Sequence, residues 1–279
     1  MLALLTGGCA GVVNGLTSTR GVVVTRHVAY GPSPAQTLDI YAPAVGGGPY
    51  PAVVFLHGGG WNSGAAADYR FLGSALASRG VVALIAGYRL FPEVAYPDFL
   101  RDGARAVAWA HAHAESFGAD PRCLFLMGHS AGAYNAVMLA LDGRWLGEVG
   151  LRPATVLAGA IGLAGPYDFL PIRDPEVRAV FAPAAADLAS TQPINHVTPG
   201  APPLFLASGS ADTTVRPGNT ERLAARLKAA GDRVTMRLYP RIWHILLIGA
   251  FSWPLRWAGP VLADTLRFMR AQQPGCAAH

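Results

Sequence analysis

Lysine is almost absent from this chain. Lys228 is the only one, and the other basic residues are arginines scattered without a block. Charge of either sign is scarce: Asp, Glu, Lys and Arg make up 14% of the residues against 52% hydrophobic ones, which excludes a disordered or highly charged chain. A nucleic-acid surface needs clustered basic residues with interleaved aromatics. None occurs, so the net charge of +5 reads as an arginine-biased surface with no nucleic-acid partner. Cysteine is also rare. Cys9, Cys123 and Cys276 show no spacing that suggests a metal site or a disulfide framework, and Cys123, in an apolar run, is expected to pack in the core. No stretch past the N-terminus has about 18 uninterrupted apolar residues, so no spanning helix is expected.

What the chain does have is length and apolar content. Its 279 residues suffice for a sizeable core in one large α/β domain or two small ones. A mean hydropathy of +0.30 is high for a soluble protein and points to contact with something apolar. The opening "MLALLTGGCAG" ends in small residues and Cys9, like the tail of a bacterial lipoprotein signal. It lacks a charged n-region, and its leucine stands one position too far from the cysteine. The readings are a signal remnant, with membrane association through the N-terminus and an envelope location, or a frayed apolar end in a cytoplasmic protein. Residues 10–20 read as a linker.

Strands are expected at 21–30, 36–43, 50–57, 81–88, 123–128, 156–165, 203–210 and 233–240. Helices are expected at about 65–79, 98–117, 131–141, 217–230 and 258–271. Residues 166–202 are rich in Pro and Ala and read as irregular. Strands alternating with helices imply a mostly parallel sheet of about eight strands, covered on both faces. No repeat or boundary interrupts it, so 1–20 is set apart as signal remnant and linker, and 21–279 as a single domain.

In such sheets, sites lie at the carboxyl ends of strands. "FLMGHSAGAY" (125–134) puts Ser130 between Gly128 and Gly132, between a strand and a helix. A G-x-S-x-G in that context is a nucleophile elbow. Its tight turn leaves no room for flanking side chains, lifts the hydroxyl clear of the sheet, and leaves the Ala131 amide free to donate to an anion at a helix N-terminus. "HGGGW" (57–61) follows a buried strand and matches the loop that completes an oxyanion hole; the bland alternative is a flexible glycine loop. His57 is expected to hold that loop. "SGSADTTV" (208–215) sets Asp212 in a turn after the next-to-last strand, and "YPRIWHI" (239–245) sets His244 in a loop after the last. The order Ser130, Asp212, His244 is that of a hydrolase triad.

Rivals exist. Asp168 follows a strand too, but one strand early. His196 precedes the acid, His129 fills the variable position of the elbow, and His111 and His113 lie two apart on a helix and cannot share a face. After His244 comes an unusually apolar segment, 245–259. It either docks the final helix or lines an acyl pocket, which makes Phe251 and Trp253 candidate substrate-binding residues beside Trp61 of the HGGG loop.

Together these residues resemble the α/β-hydrolase esterases with an HGGG oxyanion loop: hormone-sensitive-lipase-like carboxylesterases, bacterial feruloyl or acetyl esterase-like enzymes, kynurenine formamidases and isoprenylcysteine methylesterases. The similarity runs from about residue 25 to 245. It implies an α/β-hydrolase fold and a serine carboxylesterase acting on a small-molecule ester through an acyl-enzyme, with no cofactor or metal. Ser130 would be the nucleophile, His244 the base and Asp212 the acid, with oxyanion amides from Gly59, Gly60 and Ala131, or Gly58 as a substitute. The chain lacks the long N-terminal cap of the hormone-sensitive-lipase relatives, so no large cap domain is expected. Formamide or amide hydrolysis on the same triad, a non-catalytic binding protein and an envelope-anchored interaction protein are the other readings.

Overall fold

Eight short runs of Val, Leu, Ile, Phe and Ala assemble into one sheet in the order β1-β2-β4-β3-β5-β6-β7-β8. The computed structural model describes residues 11–272. The strands are β1 (Val22–Ala29), β2 (Thr37–Pro43), β3 (Tyr50–Leu56), β4 (Val82–Ala86), β5 (Ala119–His129), β6 (Gly159–Leu163), β7 (Leu204–Gly209) and β8 (Val234–Tyr239). β1 pairs with β2, and β2 with β4, antiparallel; every other pairing is parallel.

The central strands are buried on both sides because helices cover both faces. Their side chains alternate between two cores. Val54, Leu56, Leu124 and Leu126 face α2 (Asp98–His113), α3 (Ala131–Leu141) and α4 (Gly218–Ala229). Val53, Phe55, Phe125 and Met127 face α1 (Arg70–Ala77), α5 (His244–Gly249) and α6 (Val261–Ala271). α3 is buried at every position, as its all-round apolar sequence requires.

Several local expectations change. The helix expected over 65–79 is a 3₁₀ turn at Ala66–Tyr69 followed by α1, and that over 98–117 ends as α-helix at His113. β5 begins at Ala119 rather than 123, because Ala119 pairs with Tyr50. Residues 166–202 hold short helical turns, among them Pro175–Val180 with Asp174 as its N-cap. The linker expected at 10–20 is tied down. Residues 11–15 are helical, the Asn14 amide donates to the carbonyls of Ala67 and Asp68 at 3.0 Å each, and its Oδ1 accepts from Phe71 N, also at 3.0 Å. Cys123 packs in the core as expected, but it is also half of a disulfide. The apolar run before Cys9 lies outside the described residues.

Candidate active site

The carboxyl ends of the parallel strands all open on one side of the sheet, and three loops meet there. β5 runs into α3 through Ser130, held at φ 56°, ψ −122°, a conformation that costs a non-glycine residue of order 1–3 kcal/mol. The neighbours impose it. A Cβ on Gly128 would stand 2.0 Å from Gly132 O, and one on Gly132 would stand 2.0 Å from Leu56 O. Ser130 N donates to Leu163 O at 2.9 Å, and Ser130 O accepts from Ala133 N and Tyr134 N, so the elbow is bonded on both sides.

The loops after β7 and β8 are stitched together: Ser210 N donates to Tyr239 O, Ala211 N to Ile242 O, and Arg241 N to the Ser210 hydroxyl. That joint brings Asp212 to His244, whose Nδ1 donates to Asp212 Oδ2 at 2.8 Å. The Ser130 hydroxyl donates to His244 Nε2, also at 2.8 Å. Asp212 Oδ1 accepts from Thr214 N and Val215 N at 2.9 Å each, so the buried carboxylate has three donors. His244 is the first residue of α5 rather than part of a loop.

The rivals have other partners. Asp168 binds the guanidinium of Arg222. His196 bonds Ser190 O, and His113 bonds Trp109 O and stacks on that indole. His129 is buried against His244: its Nε2 donates to His244 O at 3.2 Å, and its ring lies 4.8 Å from the His244 ring. Burial holds the His129 imidazole well below its ordinary pKa of 6.5, and the charge of a protonated His244 pushes it the same way.

The HGGG loop curls over Ser130. His57 Nδ1 donates to Gly58 O at 2.7 Å, its ring stacks on Tyr88, and the Tyr88 hydroxyl donates to His57 O. Burial lowers the His57 pKa. Gly58 N donates to the Tyr69 hydroxyl at 3.1 Å, so this amide is already engaged. Burial pushes Tyr69 up to about 12, which keeps that hydroxyl neutral. The Gly59 and Gly60 amides, by contrast, meet no protein acceptor among the described residues. Gly59 has φ +126°, and a Cβ there would stand 2.0 Å from Ser63 O, so the turn tolerates only glycine. The Ala131 amide, at the first position of α3, lies beyond reach of an intrahelical acceptor.

A cavity of about 1430 Å3 opens above Ser130, bounded by the HGGG loop, segment 169–177, Trp243 with α5, and Val13 of the N-terminal turn. Trp61 lines it and also anchors the loop: its indole N–H donates to Asn135 at 3.0 Å, and its ring packs edge-on against Tyr134 and Phe181. The segment after the base divides. Ile245, Leu246, Ile248 and Leu255 line the cavity. Phe251 does not, being fully buried in the core beneath α5. Trp253 does not either; it is 62% exposed, and its indole donates to Leu16 O. Sequence reasoning missed Tyr69, Tyr88, Asn135 and segment 169–177, since none stands in a motif.

The fold is that of an α/β-hydrolase. The chain belongs to the BD-FAE family, whose model matches residues 38–227. It is 30% identical to Esterase LipC of Mycobacterium tuberculosis, over 93% of this chain and 70% of that protein. It is 27% identical to a probable isoprenylcysteine alpha-carbonyl methylesterase of Arabidopsis thaliana over 79% of this chain, but spans only 51% of that relative. Phosphonate-inhibited Esterase B from Lactobacillus Rhamnosis superposes with a TM-score of 0.83 over 96% of this chain and 92% of its own, at 22% identity, a likeness of fold.

Proposed function

We propose that this protein is a serine carboxylic-ester hydrolase for small to medium esters. One observation carries the reading: the unbroken hydrogen-bond chain from Asp212 through His244 to Ser130, at the floor of an open cavity and beside amides without acceptors. His244 Nε2 takes the hydroxyl proton as Ser130 Oγ bonds to the ester carbonyl carbon. Asp212 fixes the imidazole tautomer and stabilises the imidazolium. The amides of Gly59, Gly60 and Ala131 receive the oxyanion of the tetrahedral adduct, a contribution worth roughly 3–4 kcal/mol per donor in comparable sites. The C–O bond to the alcohol then breaks, and the leaving oxygen takes the proton from His244. Water repeats the sequence on the acyl-enzyme, releases the acid and restores the serine.

The test is hydrolysis of p-nitrophenyl acetate, butyrate and hexanoate by the purified chain, alongside formanilide, with an organophosphate as label. Ester turnover and modification of Ser130 alone are expected. Turnover confined to the formamide would move the protein to amide hydrolysis, and no turnover or label would leave it a binding protein.

A further inference from the structure

Large exposed apolar side chains concentrate on the segments that contribute to one side of the active-site mouth. Trp243 and Ile245 flank His244, line the cavity and are 54% and 43% exposed. Trp253 and Trp257, 62% and 77% exposed, stand on the 3₁₀ helix whose Leu255 lines the same cavity. The Trp253 indole is bonded to Leu16 O, which joins this helix to the N-terminal turn, where Val12 and Leu16 are 66% and 55% exposed and Val13 faces the cavity. The described chain begins one residue before Val12, and the ten residues ahead of it read "MLALLTGGCA".

We propose that this wall is a lipid-docking face, which sets the active-site mouth against a membrane surface. Trp suits such a face because its ring is amphipathic and settles at the headgroup level. Val and Leu add apolar contact, and the sequence that immediately precedes Val12 is itself apolar. The disulfide at Cys123 fits an oxidising compartment, where an envelope surface is at hand.

Flotation of the full chain with phosphatidylcholine vesicles containing a fifth phosphatidylglycerol tests the proposal without relying on turnover. The wild type is expected to float. The double variant Val12→Gln, Trp257→Gln should lose at least tenfold in partitioning while hydrolysing p-nitrophenyl acetate at the wild-type rate. Val45→Gln, which changes an exposed valine on the loop before β3, at the far end of the sheet, should float like the wild type. Three results overturn the proposal. One is a wild type that stays in the soluble fraction. Another is a double variant that floats undiminished while replacement of residues 2–5 by serine abolishes flotation, which assigns binding to the N-terminal run alone. The third is a concentration-dependent dimer that the double variant dissolves, which makes the face a contact between copies of the chain.

Discussion

Ser130 sits in a strained conformation because two glycines beside it let backbone pass within contact distance on both sides. The strain aims the hydroxyl toward His244, and under the proposed mechanism holding the reacting groups in place is a large part of catalysis. Ser130→Ala should therefore fold normally and lose about a million-fold in kcat. A variant retaining a tenth of the activity would remove Ser130 from the mechanism. The acid is a choice between two aspartates that the structure separates. Asp212 is buried with three donors, whereas Asp168 is half-exposed and paired with a surface arginine. Asp212→Asn keeps the hydrogen-bonding shape but favours the wrong imidazole tautomer, and should lower kcat by about ten-thousand-fold. Asp168→Asn breaks an exposed pair worth about 1 kcal/mol or less and should leave kcat within a few-fold of wild type. Steady-state kinetics on both variants decide it, and the reverse ranking would move the acid role to Asp168.

At the scale of elements, motifs carried the reading where the chemistry dictates the residue. An elbow needs its glycines and an oxyanion loop needs bare amides, so Ser130 and "HGGGW" stand out without a structure. Strands were legible because buried parallel strands are uniform apolar runs between turn residues. Uniformity is also what hid the division within 245–259. Nothing in "ILLIGAFSW" says which side chains of a short helix meet a cavity and which meet a core, because both are apolar. Tyr69 and Asn135 were illegible for another reason: each acts on a loop distant in sequence, Tyr69 on Gly58 and Asn135 on Trp61. The disulfide escaped notice because three scattered cysteines carry no pairing signal. The division of 245–259 makes a prediction. Leu255 lines the cavity, and each buried methylene of an acyl chain is worth about 0.8 kcal/mol, or roughly fourfold in kcat/KM. Wild type should prefer butyrate and hexanoate esters to acetate, and Leu255→Ala should flatten that preference. Phe251→Ala should instead keep the profile and lose about 3–5 kcal/mol in urea unfolding, as a large core truncation does. A flattened profile in Phe251→Ala with unchanged stability would return Phe251 to the pocket.

Across the whole molecule, two imidazoles are sealed in the layer that joins the HGGG loop, the elbow and the base loop. His57 and His129 are each almost inaccessible, and burial lowers both pKa values below the ordinary 6.5. The folded protein therefore keeps both rings neutral at a pH where the unfolded chain has begun to protonate them. Their contribution to stability is fully present above pH 6.5 and drains away as the pH falls from there toward the lowered folded values, because the unfolded state then binds more protons. Each histidine contributes a slope of at most about 1.4 kcal/mol per pH unit in that window. For a domain of this size a change of 1 kcal/mol moves Tm by roughly 2–4 °C. Calorimetry should thus show Tm several degrees lower at about pH 5.5 than at about pH 7.5, above the range where most carboxylates titrate. His129→Gln removes one of the two groups. Whatever it costs in absolute Tm, it should reduce the difference between the two pH values, while Asp168→Asn should leave that difference as in wild type. A Tm that holds steady across this window in the wild type would mean that the sealed layer admits a proton at little cost. A neutral His129 ring beside His244 would then not be enforced by the fold.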